Sequence, residues 1–240
     1  MKTVILLSGK KSTGKDTSFE LIRDMFSCNE PYCRCKTVID TGTTHCYPLG
    51  YRKHVKKISF ADPLKSLCQS AFGLTTKQCY GESGERETPS EIRWGDLCSA
   101  YSDRPKDELL TAREILQLVG TNVMRSFFPN IWAKAATIAA FKSPADISVF
   151  TDARFPNEIE EFEKLASGNK IKLVVIRLIR DTGLFDEHES ETALDEWDSG
   201  GRFEHNLINN GSMQELKDML RHILEVEGLL EMDTKCFQQK

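Results

Sequence analysis

An apolar run at 4–7 leads directly into Gly9-Lys10-Lys11-Ser12-Thr13-Gly14-Lys15, and a stretch with Phe19, Ile22 and Phe26 on one helical face follows. A buried strand, a turn bounded by glycines and an amphipathic helix, in that order, strongly restrict what the chain can fold into. The glycines let backbone N–H groups curl around phosphate oxygens, and Lys15 reaches the outer phosphates. The helix points its positive end at the same charge. A phosphate-cradling loop made by Gly9, Ser12, Thr13, Gly14 and Lys15 is therefore expected, with a nucleoside triphosphate as its guest. The Ser or Thr that usually touches magnesium after the lysine is replaced by Asp16, with Thr17 next along. Asp16 suits metal ligation directly or through water, and the choice between Asp16 and Thr17 stays open.

The chain has 240 residues, 40% hydrophobic and 28% charged, enough for one compact enzyme domain with a sizeable core. With 32 Lys+Arg against 36 Asp+Glu the net charge is -4, which gives no support to wholesale binding of nucleic acid or an acidic membrane. No apolar stretch approaches a membrane span, and the N-terminal apolar segment is too short for a signal peptide, so a cytoplasmic protein is expected. Its eight cysteines are then expected as reduced thiols. Cys28, Cys33, Cys35 and Cys46, with His45 and His54, supply ligand types for zinc, but their spacing matches no paired knuckle. The plainer expectation is an insertion at 28–56 containing a β-hairpin, with 36–40 pairing 55–60 across the turn at 41–44.

Helix starts recur downstream. Asp62-Pro63 reads as N-cap and first helical residue, with Gly73 as the stop. Thr88–Glu91, Thr111–Glu114 and Ser212–Glu215 each fit a capping box, in which hydroxyl and carboxylate satisfy backbone donors reciprocally. Asn130 suits the cap of a helix through Phe141, and Pro156 opens another that ends before Gly168. The Gly-, Glu- and Ser-rich segment 81–91 reads as a mobile loop. Between helices, continuous apolar runs at 147–150 and 173–178 suit strands covered on both faces. Alternating strands and helices predict a three-layer α/β fold with a mainly parallel sheet, which binds ligands beyond the carboxyl ends of its strands.

At one such end, Thr151 runs into Asp152-Ala153-Arg154-Phe155-Pro156-Asn157-Glu158. Arg154 suits bidentate grip of a phosphate. Asp152 suits magnesium-bound water, a substrate sugar or Arg154 itself, the alternative being a structural Asp–Arg pair. Glu158 suits either substrate binding or simple support of a helix start.

Taken together, GKKSTGKDT at 9–17, SFADPLK at 59–65, TAREILQLVGTNVMR at 111–125 with Trp132, TDARFPNE at 151–158, HESE at 188–191 and LINNGSMQEL at 207–216 resemble the phage-type deoxynucleoside monophosphate kinases. These belong to the P-loop nucleoside monophosphate kinase group. The resemblance implies a P-loop NTPase fold with a five-stranded sheet and helical insertions. The chain would form a single kinase domain over 1–240, with about 80–128 as lid and acceptor-site region. It implies transfer of the γ-phosphoryl of ATP, as its magnesium complex, to a deoxynucleoside monophosphate. Lys15 would stabilise the β and γ phosphates, Asp16 and Asp152 would serve the metal, and Arg154 would grip the acceptor phosphate with Asp152 beside it.

By the same resemblance Arg113, with Arg125 as rival, would stabilise the transferring group, and Gln117 would meet the acceptor base. Trp132 would offer a stacking plane or serve as core, and Glu158 would line the acceptor site. Asn209, Asn210 and Gly211 would hold adenine at a strand-to-helix turn, where a plain capped turn also needs them. Arg180 and His188 would flank a loop closing over phosphates. A homodimer, a phage origin and a host-cytoplasm setting are family expectations. The residues alone also admit a P-loop kinase of another phosphorylated small molecule, such as phosphomevalonate, and an ATP-binding regulator or motor subunit.

Overall fold

The computed structural model describes residues 1–27, 36–38, 44–46, 53–97, 104–181 and 192–231. It divides into two compact units, Met1–Ser59 with Thr137–Lys240, and Phe60–Ala136. In chain order the elements begin β1 (Lys2–Ser8), α1 (Lys15–Phe26), β2 (Lys36–Val38), β3 (Thr44–Cys46), β4 (Val55–Ile58), α2 (Asp62–Phe72), α3 (Thr76–Tyr80), α4 (Ser83–Arg86) and β5 (Pro89–Arg93). They continue β6 (Leu109–Thr111), α5 (Ala112–Gln117), α6 (Ile131–Lys142), β7 (Ile147–Ala153), α7 (Pro156–Ser167), β8 (Ile171–Ile179), α8 (Asp195–Ser199), β9 (His205–Ile208) and α9 (Met213–Val226).

The first unit is built on a five-stranded sheet in the order β4-β7-β1-β8-β9, and every neighbouring pair in it is parallel. Val4, Ile5, Leu6 and Leu7 of the central strand are at most 1% exposed, as an apolar run without alternation requires when helices cover both faces. On one face Ile5, Leu7, Val149 and Ile176 meet Phe19, Ile22 and Phe26 of α1 and Leu216, Leu220 and Leu224 of α9. On the other, Phe150 packs on Phe162 of α7 at a centroid distance of 5.2 Å. Consecutive residues of β7, Val149 and Phe150, thus serve opposite faces, and each such side chain fully buried contributes about 1.5–3 kcal/mol. The three-layer α/β expectation is met, and the sheet is parallel throughout.

Several local expectations are corrected. Residues 55–58 do not pair with 36–38. The latter pair antiparallel with 44–46, while β4 joins the main sheet with Val55 opposite Ile147 and Ile58 opposite Phe150. Val55 and Ile58 are buried and Lys56 and Lys57 are exposed, a pattern that fits an edge strand under lysine protection. The turn at 39–43 lies outside the described residues, as do Cys28, Cys33 and Cys35.

Thr88–Glu91 is not a capping box either. The Thr88 hydroxyl donates to Glu85 O (2.6 Å) and accepts from Gln78 Nε2 (3.2 Å), so it is not available as a cap. Pro89 instead opens β5, which pairs antiparallel with β6, and Ser90 Oγ donates to Leu110 O at 2.8 Å. A cross-strand partner in the fold outweighs a local capping preference. Segment 81–91, expected as a mobile loop, contains α4 and the start of β5.

The second unit has its own core around Cys68, Leu74, Cys79, Leu110, Ala112, Ile115 and Val119. Its first helix is capped by Ala61, one residue earlier than expected, and stops at Gly73. The boxes at Thr111–Glu114 and Ser212–Glu215 form as expected, with both reciprocal bonds present. After α5 the chain continues as a π-helix over Leu118–Arg125. Among the described residues, no helix is long and apolar enough to cross a membrane.

Candidate active site

The loop between β1 and α1 lies at the carboxyl end of the central strand, and its two glycines are there for steric reasons. Gly9 has φ 148°, and a Cβ on it would stand 2.5 Å from Leu178 O; Gly14 has φ 98°, and a Cβ there would stand 2.6 Å from Asn209 Nδ2. Side chains avoid such angles, and neither neighbour leaves room for one. Ser12 is also left-handed, at φ 64°. The buried Thr13 closes the turn from its Oγ1 to Lys10 O at 2.9 Å. Lys15 curls back over the loop and donates to Gly9 O (2.5 Å) and Lys10 O (2.6 Å), so its ammonium lies inside the curve that would cradle phosphate.

Asn209 braces this loop from the end of β9. Its side-chain amide donates to Thr13 O at 2.8 Å, and its backbone N–H donates to Ile179 O at 2.7 Å. The expected adenine contact therefore falls on a side chain whose N–H already holds the loop in shape. Asn210 Oδ1 accepts from Asp181 N at 3.1 Å, and Gly211 leads into the Ser212 cap.

Asp16, in the first turn of α1, accepts from Lys57 Nζ at 2.6 Å. The Asp16 side chain is 80% exposed; what desolvation it has pushes its carboxyl up, but the Lys57 bond and charge, the Thr151 hydroxyl and the nearby Lys15 outweigh that and hold it below its usual value. Asp152, near the end of β7, accepts a hydrogen bond from Ser59 Oγ just past β4. Asp16 thus lies at the start of the helix that follows the loop and Asp152 near the end of the neighbouring strand, and both are oxygen donors of the kind a hard divalent cation takes. Glu158 is 3% exposed and accepts the backbone N–H groups of Arg154 (2.8 Å) and Phe155 (3.1 Å). These bonds organise the turn that presents Arg154 at the start of α7.

Of the remaining sequence candidates, Arg113, Gln117 and Trp132 lie in the second unit and Arg180 in the first. Arg113 pairs through Nε with Glu87, while Arg104 takes Glu108 and Glu114. Gln117 is exposed at the end of α5. Trp132 is 7% exposed and donates its indole N–H to Gly120 O at 2.9 Å, the arrangement of a core tryptophan. Arg180 follows β8 and is exposed, and His188 lies outside the described residues.

Two residues near the loop were not singled out from sequence. Lys57 carries no local signal beyond its place in a lysine pair. Arg177 does carry one: it is the charged residue deep in an otherwise apolar strand run, and it is 4% exposed.

A glycine-shaped phosphate loop at the centre of a parallel sheet, with charged residues gathered at the neighbouring strand ends, places the chain among the P-loop nucleotide-binding proteins. No protein-family model matches it. The chain is 31% identical over 172 residues, 65% of its own length and 76% of the relative's, to a protein of Acanthamoeba polyphaga mimivirus named "Putative deoxynucleotide monophosphate kinase". It is 24% identical over 202 residues, 67% of its own length and 71% of the relative's, to the "Deoxynucleoside-5'-monophosphate kinase" of Escherichia phage T5. The chain belongs to the deoxynucleoside monophosphate kinase family, as its motifs implied.

Proposed function

We propose that this protein transfers the γ-phosphoryl group of ATP to the phosphate of a deoxynucleoside monophosphate, giving ADP and the deoxynucleoside diphosphate. The observation that carries this reading is the register of β1 against β7, in which Ser8 lies opposite Ala153. The residue before the phosphate loop and the residue before Arg154 are thus strand neighbours, so donor and acceptor phosphates have cationic partners emerging side by side.

An oxygen of the acceptor phosphate attacks the γ-phosphorus. The bond from that phosphorus to the β–γ bridging oxygen breaks, and the departing charge settles on the β-phosphate of ADP. The nucleophile is already anionic, so the chain needs alignment and cations more than a general base. Lys15 holds charge on the β and γ phosphates, assisted by the backbone of Gly9, Ser12, Thr13 and Gly14. Arg154 grips the acceptor phosphate, on a turn that Glu158 stiffens. Asp16 or Thr17, with Asp152, would hold magnesium, which when bound would offset phosphate charge and help align the phosphates. Asn209 and Gly211 serve the adenine side of the loop.

In this reading 1–240 acts as one kinase domain, 28–56 is an insertion, and Arg113 and Gln117 within about 80–128 serve the acceptor. Trp132 contributes through its core position. Coupled ADP production from magnesium-ATP with dAMP, dGMP, dCMP and dTMP tests the proposal, with Arg154→Ala measured alongside. Turnover with at least one acceptor, collapsing in the variant, is expected. Bound ATP without acceptor-dependent turnover would overturn it.

A further inference from the structure

Arg177 stands on β8 directly opposite Ser8 of β1. Its guanidinium is buried, and its donors go to few partners. Nε and Nη2 fork onto Asp198 of α8 at 2.8 and 2.5 Å, and Nη1 donates to Ser8 Oγ at 3.0 Å. The guanidinium also lies 5.4 Å from the centroid of the Phe203 ring. Ser8 is itself fully buried and immediately precedes Gly9, whose carbonyl receives Lys15. A second contact reaches the same loop from the same short helix, where Asp195 Oδ2 pairs with Lys10 Nζ at 2.9 Å. The other oxygen of Asp195 stands 3.7 Å from Arg177 Nη2, is buried, and has no hydrogen-bond partner among the described residues.

If the only task here were to fill the interior, apolar side chains of similar volume would serve as well as a buried ion pair, without the desolvation cost. A carboxylate oxygen left unbonded next to a guanidinium is likewise a poor arrangement for stability alone. Two contacts of the cluster lead instead to the phosphate loop, from Arg177 to Ser8 and from Asp195 to Lys10.

We propose that Arg177 is a positioning residue for the phosphate loop, fixing Ser8 directly and, through Asp198 and Asp195 of α8, setting the place of Lys10. This rests on the nucleotide-kinase reading for its kinetic consequence only. The planar fork is needed because these bonds leave from three separate guanidinium nitrogens, whereas a lysine has a single nitrogen that cannot span both Asp198 oxygens and Ser8 in that geometry.

The test compares wild type, Arg177→Lys and Asp195→Asn, each checked for native circular dichroism and melting. Affinity for magnesium-ATP is measured by calorimetry, and kcat and KM are measured with the best deoxynucleotide acceptor. Arg177→Lys is expected to lower both ATP affinity and kcat about tenfold or more while leaving the acceptor KM unchanged, because a small misplacement of a loop that meets the reacting phosphates is costly. A folded Arg177→Lys protein with wild-type ATP affinity and kcat would overturn the proposal. Asp195→Asn weakens the half-exposed Lys10 pair and the longer Arg177 contact while leaving the bonds of Arg177 to Asp198 and Ser8 in place, so it covers the case in which Arg177→Lys does not fold. It is expected to weaken ATP binding about threefold, and unchanged or tighter binding would overturn the proposal in that case. If wild type turns over no deoxynucleotide, the kinase reading fails, while the positioning role is still judged by ATP affinity alone.

Discussion

Lys15 and Asp16 are adjacent in sequence but face different demands. Lys15 is held by loop carbonyls that exist only because Gly9 and Gly14 adopt angles other residues avoid. Replacing Gly14 by Ala forces a left-handed angle on a side chain that also meets Asn209. The expected loss is about 1–3 kcal/mol of stability, read in urea melts, together with weakened ATP binding. Lys15→Ala should leave the fold intact and reduce kcat by about two to three orders of magnitude, the usual cost of removing one preorganised charge partner. For the largely exposed Asp16, slight desolvation raises the carboxyl pKa and Lys57 is the foremost of the groups that bring it below 3.8. Lys57→Met should therefore move the pKa upward, which carboxyl NMR titration would detect; an unmoved pKa would show that Thr151 and Lys15 suffice.

At the level of elements, helix ends and strand edges carry most of the local stability that can be tested. Thr111 and Ser212 each accept the N–H of a residue three positions on, at 3.2 Å, and each is answered by a glutamate. Alanine at either position should cost about 1 kcal/mol in chemical unfolding. The start of β8 and the end of α9 are joined by Glu227, which takes Lys172 at 3.0 Å and His205 at 2.8 Å. Burial works against ionisation of Glu227, yet bonds and charge from His205 and Lys172 bring its pKa below the usual 4.5. A depressed folded pKa means the stabilisation is complete above 4.5 and disappears as pH falls through the lower folded value. Glu227→Gln should accordingly lower Tm at pH 7, and the deficit should shrink on acidification below pH 4.5. A deficit that is constant with pH would assign the effect to packing.

For the whole molecule, a ligand that binds only the folded state stabilises it by mass action. Magnesium-ATP at a hundred times its Kd should add about 2.7 kcal/mol to unfolding, and chelating the metal should remove both that gain and turnover. The strand, loop and helix at 2–26 were legible in the sequence because each depends on residues within a few positions, and so were the box at Thr111 and the turn at 209–211. Thr88 was misread for the opposite reason, since Glu85 and Gln78 claimed its hydroxyl and the strand at 109–111 paired with the residues after it. What the sequence by itself determined is the chemistry: which turn could cradle phosphate, and which strand end carried an acid and a base. Only the tertiary structure decided that Asn209 holds Thr13, that Ser59 meets Asp152 and that Arg177 reaches Ser8, pairs separated by 196, 93 and 169 positions. Bringing such residues together costs loop-closure entropy that no local pattern encodes, and burial of the parallel sheet as a whole is what offsets it.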